Sequence, residues 1–197
     1  MIIDQLTQSI QLKICYFGPA LSGKTSSIKA LFDHFGKKDR VLSIDSSIRR
    51  TLFFDYGTIS FQNQLWNLKI HIYSTTGQDF YIITRPVTLQ AIDGIIFVAD
   101  SQQEVYYRNL TSWNELCNYF EDAIITLPKV IAFNKQDLPD KFSPAVFLEN
   151  INYFKFKNVD FKKTIAVNGE GILDCFEEVL SLVFKNIYKG QLISAFQ

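Results

Sequence analysis

Eight residues near the start of the chain, Gly18-Pro19-Ala20-Leu21-Ser22-Gly23-Lys24-Thr25, have the types and spacing to hold a phosphate chain. The pattern is G-x-x-x-x-G-K-[ST]. Its glycines let the backbone curl until successive N–H groups point inward at phosphate oxygens. A helix beginning at the end of the loop adds partial positive charge. In such a loop the Lys24 ammonium reaches the β- and γ-phosphates, and the Thr25 hydroxyl ligates Mg²⁺. Gly18, Ala20, Leu21, Ser22, Gly23, Lys24, Thr25 and Ser26 are therefore the candidate phosphate-binding residues. The motif needs a strand before it and a helix after it. Leu12-Lys13-Ile14-Cys15-Tyr16-Phe17 suits a buried strand, and Ile28, Leu31, Phe32 and Phe35 follow at helical spacing.

A phosphate loop does not choose a base, whereas Asn134-Lys135-Gln136-Asp137 does. It follows the apolar run 130–133, at the carboxyl end of a strand, where open sheets bind ligands. The Asp137 carboxylate can accept from both N1–H and the 2-amino group of guanine, a pair of donors that adenine lacks. Asn134 can hold the loop and contact the base, and the Lys135 stem can lie over the purine face. Thr164-Ile165-Ala166-Val167-Asn168-Gly169-Glu170-Gly171 has a similar character. There the Ala166 N–H can face the 6-oxo group beside Val167, and a plain strand-to-helix turn fits equally well.

Two further segments bear on hydrolysis. Ser74-Thr75-Thr76-Gly77-Gln78 ends a strand, so the Gly77 N–H can meet a γ-phosphate and Gln78 can orient a water. Gln78 reads equally as a solvated helix-start residue. Ser46-Ser47-Ile48-Arg49-Arg50-Thr51-Leu52-Phe53-Phe54-Asp55 turns abruptly from polar and basic to aromatic. Thr51 can complete a Mg²⁺ shell and an arginine can neutralise transition-state charge. On the residues alone, Arg49 and Arg50 read first as a solvated loop pair. His34 and His71 are isolated and read as surface or packing residues.

The elements that position these groups alternate. Strands are expected at 12–17, 41–44, 68–73, 95–99, 130–133 and 163–167. Most are continuous apolar runs, as in strands covered on both faces. The run 68–73 alternates, which fits an edge or antiparallel strand. Between them, Tyr106, Leu110, Trp113, Cys117, Phe120 and Ile124 step by three and four. So do Ile172, Phe176, Val179, Leu180, Val183, Phe184 and Ile187. Ser143-Pro144 suits an N-cap and first turn of a helix running through Ile151. The expectation is an α/β fold: a three-layer, doubly wound, mostly parallel sheet with helices on both faces. No repeat or linker divides the chain, so 1–197 reads as one domain.

The bulk properties agree. With 197 residues, 47% hydrophobic and 15% aromatic, the chain can bury a full core. Twenty basic and twenty acidic residues cancel, which argues against a nucleic-acid or acidic-membrane partner. Three cysteines without a CxxC read as reduced packing residues, so metal or redox use is not expected of them. No signal core, membrane-length apolar run, myristoylation glycine or CaaX cysteine is present, so a cytoplasmic protein without its own membrane anchor is expected.

Taken together, these residues resemble the small Ras-like GTPases over nearly the whole chain, and most closely the MglA-like GTPases of prokaryotic polarity and motility. Beyond the phosphate loop, the resemblance rests on Tyr16-Phe17-Gly18-Pro19, Arg50-Thr51-Leu52-Phe53-Phe54-Asp55, Gly77-Gln78-Asp79-Phe80-Tyr81, Phe97-Val98-Ala99-Asp100-Ser101-Gln102 and Asn134-Lys135-Gln136-Asp137-Leu138-Pro139. It implies a six-stranded G domain that binds GTP or GDP with Mg²⁺ and acts as a monomeric switch. Thr51 then takes the place of the second metal ligand beside Thr25. Gln78 takes the place of the water-positioning glutamine, and Arg50 that of an arginine finger supplied in cis. It also implies effector proteins and a roadblock-fold partner that accelerates hydrolysis.

Two positions depart from the Ras-like pattern. Ser74 stands where most Ras-like chains carry an aspartate that holds Mg²⁺ through a water; MglA-like chains share this departure. Ala20 stands where glycine is usual, and its methyl points at the γ-phosphate region, so slow hydrolysis is expected. A nucleotide-loaded scaffold that no longer turns over is the alternative. A metabolic P-loop kinase is disfavoured by Asn134–Asp137 and by the lack of an arginine-rich lid.

Overall fold

The computed structural model describes residues 1–36, 42–45, 51–63, 65–75 and 88–195. Eight strands form one sheet: β1 (Ile2–Asp4), β2 (Ser9–Phe17), β3 (Leu42–Asp45), β4 (Thr51–Gln62), β5 (Asn67–Ser74), β6 (Gly94–Asp100), β7 (Lys129–Asn134) and β8 (Val159–Lys163). Their order is β3-β4-β5-β2-β6-β7-β8, with β1 pairing antiparallel to β2. The pairs β2–β5, β2–β6, β6–β7 and β7–β8 are parallel, and β4 runs antiparallel to β3 and β5. The chain crosses from β2 to β5 on one side and to β6 on the other. The carboxyl end of β2 is thus the switch point at which such sheets bind ligands.

The α-helices that accompany the sheet include α1 (Lys24–His34), α2 (Tyr106–Phe120), α3 (Pro144–Asn150) and α4 (Ile172–Ala195). The period of two along each strand divides the core into two layers. Leu12, Ile14 and Tyr16 join Ile28 and Phe32 of α1 and Phe176 and Val179 of α4. Cys15 and Phe17, pointing the other way, join Trp113 and Leu116 of α2 and Phe147 of α3. The three-layer expectation therefore holds. Burial pushes the Cys15 and Cys175 thiols up to about 12, and all three cysteines are unpaired, as packing residues should be.

The sheet differs from expectation at its margins. Strand β4 was not among the expected strands because Asp55 and Gly57 interrupt its apolar run. Both are buried, and Gly57 is required there because a Cβ would lie 2.4 Å from the Phe32 ring. The run 68–73 is not an edge strand, since β5 lies between β4 and β2, but it does pair antiparallel with β4, the other arrangement that its alternation fits. Its alternation reflects one buried face, Ile70, Ile72 and Ser74, and one partly open face with His71. The expected strand at 163–167 is displaced to Val159–Lys163, whose sequence Val-Asp-Phe-Lys-Lys is polar because it forms the far edge. Residues 164–167 instead form the turn that precedes α4, closed by an Ile165–Glu170 bridge. Ser143 and Pro144 do begin α3, although the Ser143 hydroxyl makes no capping bond.

Candidate functional site

The phosphate loop leaves the switch-point strand β2 and enters α1. Gly18 has φ +145 and Gly23 φ +105, values that L side chains rarely adopt. A Cβ at Gly18 would lie 2.3 Å from the Val98 carbonyl oxygen, and one at Gly23 would lie 2.1 Å from Asn134 Nδ2. Leu21 is held at φ +65 and is exposed. The Lys24 side chain is buried along the loop, and its Nζ donates to the carbonyls of Gly18 (2.8 Å) and Pro19 (2.7 Å). A cation is thereby stored where the loop curls. Ala20 is half-buried, and Ser26 is exposed on the first turn of α1.

Asn134, at the end of β7, ties this loop to the rest of the site. It is buried; its Nδ2 donates to the Ser22 carbonyl at 2.8 Å, and its Oδ1 accepts from Ala166 N at 2.9 Å and Thr164 Oγ1 at 3.2 Å. One side chain thus fixes three segments that are distant in sequence. The Ala166 N–H, expected to face a base, is directed in this arrangement at Asn134 Oδ1. Val167 is exposed and adds an open apolar surface.

The loop after Asn134 is braced by side chains from neighbouring segments. Lys135 adopts φ +65, and its Nζ is paired with Asp100 Oδ2 at the end of β6. Asp100 is fixed in turn by reciprocal bonds with Asn109 of α2: Asp100 N donates to Asn109 Oδ1, and Asn109 Nδ2 donates to the Asp100 carbonyl. Gln136 Nε2 donates to Ser101 Oγ at 2.7 Å, and Lys141 Nζ donates to the carbonyls of Gln136 and Leu138. Asp137 stands exposed at the tip of this braced loop. Asp100, Ser101, Asn109, Gln136 and Lys141 were not singled out as site residues from sequence. The signals in the sequence are that Gln136 lies within the Asn134–Asp137 motif and that Asp100-Ser101-Gln102 closes an apolar run which carries part of the family resemblance, while Asn109 and Lys141 have none.

A third cluster lies under Thr25. Its Oγ1 donates to Asp55 Oδ2 at 2.6 Å, and Ser74 Oγ donates to the same oxygen at 2.7 Å. Three buried side-chain oxygens at this end of the sheet, Ser22 Oγ, Asp55 Oδ1 and Thr75 Oγ1, have no hydrogen-bond partner among the described residues. Buried polar atoms are usually paired, so unpaired ones beside a curled, lysine-bearing loop fit a site that takes a polar, metal-bearing ligand. No three His, Cys, Asp or Glu side chains among the described residues cluster as a metal cage. Arg50, Gly77 and Gln78 lie outside the described residues; Thr51 is described only as the first residue of β4.

Comparison with known proteins bears on this geometry. The Ras family model matches residues 13–185. The mutual gliding-motility protein MglA of Myxococcus xanthus (strain DK1622) is 31% identical over 194 residues, 95% of this chain and 98% of that protein. The match spans the phosphate loop at the switch point, the braced loop at Asp137 and the clamp between them: the chain belongs to the Ras family, as a small GTPase.

Proposed function

We propose that this GTPase is a guanine-selective switch with slow intrinsic hydrolysis, built as a single G domain over residues 1–197. The observation that carries the reading is the Asn134 clamp, which joins the Ser22 carbonyl of the phosphate loop to Ala166 and Thr164. Phosphate and base recognition are thereby held in one frame, with Asp137 presented at its rim. Gly18, Ala20, Leu21, Ser22, Gly23, Lys24, Thr25 and Ser26 surround the phosphates, with Gly77 toward the γ-phosphate. Lys24, whose Nζ lies against the loop carbonyls of Gly18 and Pro19, supplies positive charge to the phosphate oxygens. Lys135, Asp137, Ala166 and Val167 surround the base. Mg²⁺, when bound, offsets the phosphate charge, with Thr25 and Thr51 as its hydroxyl ligands. Gln78 orients the attacking water and Arg50 supplies positive charge.

The likeness to a gliding-motility protein supports a role in motility. The proposed setting is polarity or motility control in the cytoplasm, with the chain acting as a monomer. Effectors then read the segments around Thr51 and Gln78, and a roadblock-fold protein accelerates hydrolysis. Ala20 favours a second reading, a nucleotide-loaded scaffold without turnover, because it adds a methyl to the phosphate loop where the Ras-like pattern has glycine. Fluorescent GDP and ATP titrations, followed by single-turnover hydrolysis with and without a co-encoded roadblock protein, test both. Equal affinity for ATP and GTP rejects the proposal. Guanine binding without hydrolysis, even with the partner saturating, favours the scaffold.

A further inference from the structure

We propose that the Lys129 amine is a carbon dioxide site, forming a carbamate that the Trp113 indole N–H holds in the core. The site lies at the amino end of β7, the end away from Asn134, and does not depend on the nucleotide-binding reading. Lys129 continues the row of Ile131 and Phe133, on the face of β7 that packs toward α2. Its register partners on either side are apolar, Ile95 of β6 and Val159 of β8. The Lys129 and Trp113 side chains are both buried. Lys129 Nζ lies 4.8 Å from the centroid of the Phe156 ring, and the Trp113 ring meets that same ring edge-on, with centroids 5.4 Å apart. Neither Lys129 Nζ nor Trp113 Nε1 has a hydrogen-bond partner among the described residues. Lys155 adds a third donor, its Nζ 4.9 Å from the Phe156 centroid.

An ammonium and an indole N–H can only donate. Buried donors without acceptors are costly, so what this cluster lacks is a group that accepts and carries negative charge. A carbamate is such a group, and the lysine itself supplies half of it. Burial pushes the ammonium down from 10.5 to about 7, with the Cys117 thiol as its titratable neighbour. About half of these side chains are then neutral at pH 7, against roughly one in three thousand for an exposed lysine. The Nζ lone pair attacks the carbon of carbon dioxide. One N–C bond forms, one C–O π pair moves onto oxygen, and the nitrogen releases a proton to water. No oxidant or second reactant is needed. The two carbamate oxygens then accept from Trp113 Nε1 and from the Lys155 ammonium. Full burial selects the reagent, because carbon dioxide is small and uncharged, whereas thioester or acyl-phosphate donors are too large to reach the amine.

The test equilibrates the folded full chain with isotopically labelled bicarbonate and carbon dioxide, then adds triethyloxonium ion. Ethylation turns a carbamate into a stable ester that peptide mass spectrometry locates. The label should be trapped on Lys129 at least about tenfold more than on any exposed lysine, in keeping with its larger neutral fraction. The carbamate carbon resonance of the untreated protein should be absent from Lys129→Met. Trp113→Phe keeps an aromatic ring in the core and removes the N–H. It should lower the trapped fraction about tenfold or more, as loss of a hydrogen bond to a charged group does. A wild type with no label on Lys129 overturns the proposal and leaves the cluster to an ordered water. So does label spread evenly over the exposed lysines, or trapping in Trp113→Phe equal to wild type. The wild-type measurement involves no substitution, so a variant that fails to fold does not shield the proposal.

Discussion

Lys129 offers a measurement that separates burial from charge. It is the first residue of β7, its side chain is fully buried, and its Nζ has no hydrogen-bond partner among the described residues. The amine lies 4.8 Å from the centroid of the Phe156 ring. Burial pushes the ammonium down from 10.5 to about 7. The unfolded chain therefore holds this proton up to about pH 10.5, while the folded chain holds it only below about 7. Between these values unfolding takes up a proton, so stability rises with pH across the window and levels off above it. Below the window both states are charged and the full burial penalty opposes folding. The fall corresponds to about 5 kcal/mol at about 1.4 kcal/mol per pH unit. Lys129→Met keeps a flexible chain of similar length and removes the amine. Urea unfolding of both proteins in the same nucleotide state, at pH 6, 8 and 10, reads the difference. Lys129→Met should be more stable by several kcal/mol at pH 6, on the order of the gains seen when buried charges are replaced by apolar groups. The advantage should shrink steadily toward pH 10. An advantage that is the same at pH 6 and pH 10, or a variant less stable at pH 6, refutes the reasoning.

Asn134→Ala leaves the buried Ser22 carbonyl and the Ala166 N–H without their partner, at about 1–3 kcal/mol each, and thermal melts without nucleotide should show the loss. Its GDP release should also quicken, because phosphate and base loops lose their common anchor; unchanged release rejects the clamp. Asp137→Asn should weaken GTP by several powers of ten and favour xanthine nucleotides, measured by competition against fluorescent GDP. Arg50→Ala and Gln78→Leu should leave GTP affinity nearly intact while partner-stimulated hydrolysis falls by about 10³-fold or more, and the double variant should be little worse than either. Ala20→Gly should raise the wild-type rate in a single-turnover assay, and no change would clear its methyl of blame.

Much of the fold could be read along the chain, because buried parallel strands announce themselves as apolar runs. Phe97-Val98-Ala99 and Val130-Ile131-Ala132-Phe133 are of this kind, and both occur as strands. The edges were less legible. Strand β8 carries lysines and an aspartate because an outer strand must resist further pairing. Strand β4 hides behind Asp55 and Gly57, whose burial depends on a helix and a strand far from them in sequence.

The site divides in the same way. Sequence by itself determined the phosphate loop and Asn134-Lys135-Gln136-Asp137, since chemistry at fixed local spacing needs no knowledge of neighbours. It placed Lys24, Thr25 and Asp137 without reference to any other element. Only the tertiary structure decided that the Asn134 amide joins Ser22 to Ala166, that Asp100 holds Lys135, and that Asp55 faces Thr25 beside Ser74. These bonds link residues separated by 30 to 112 positions. Their partners are set by strand order and register, and so by which side chains the sheet brings to one edge.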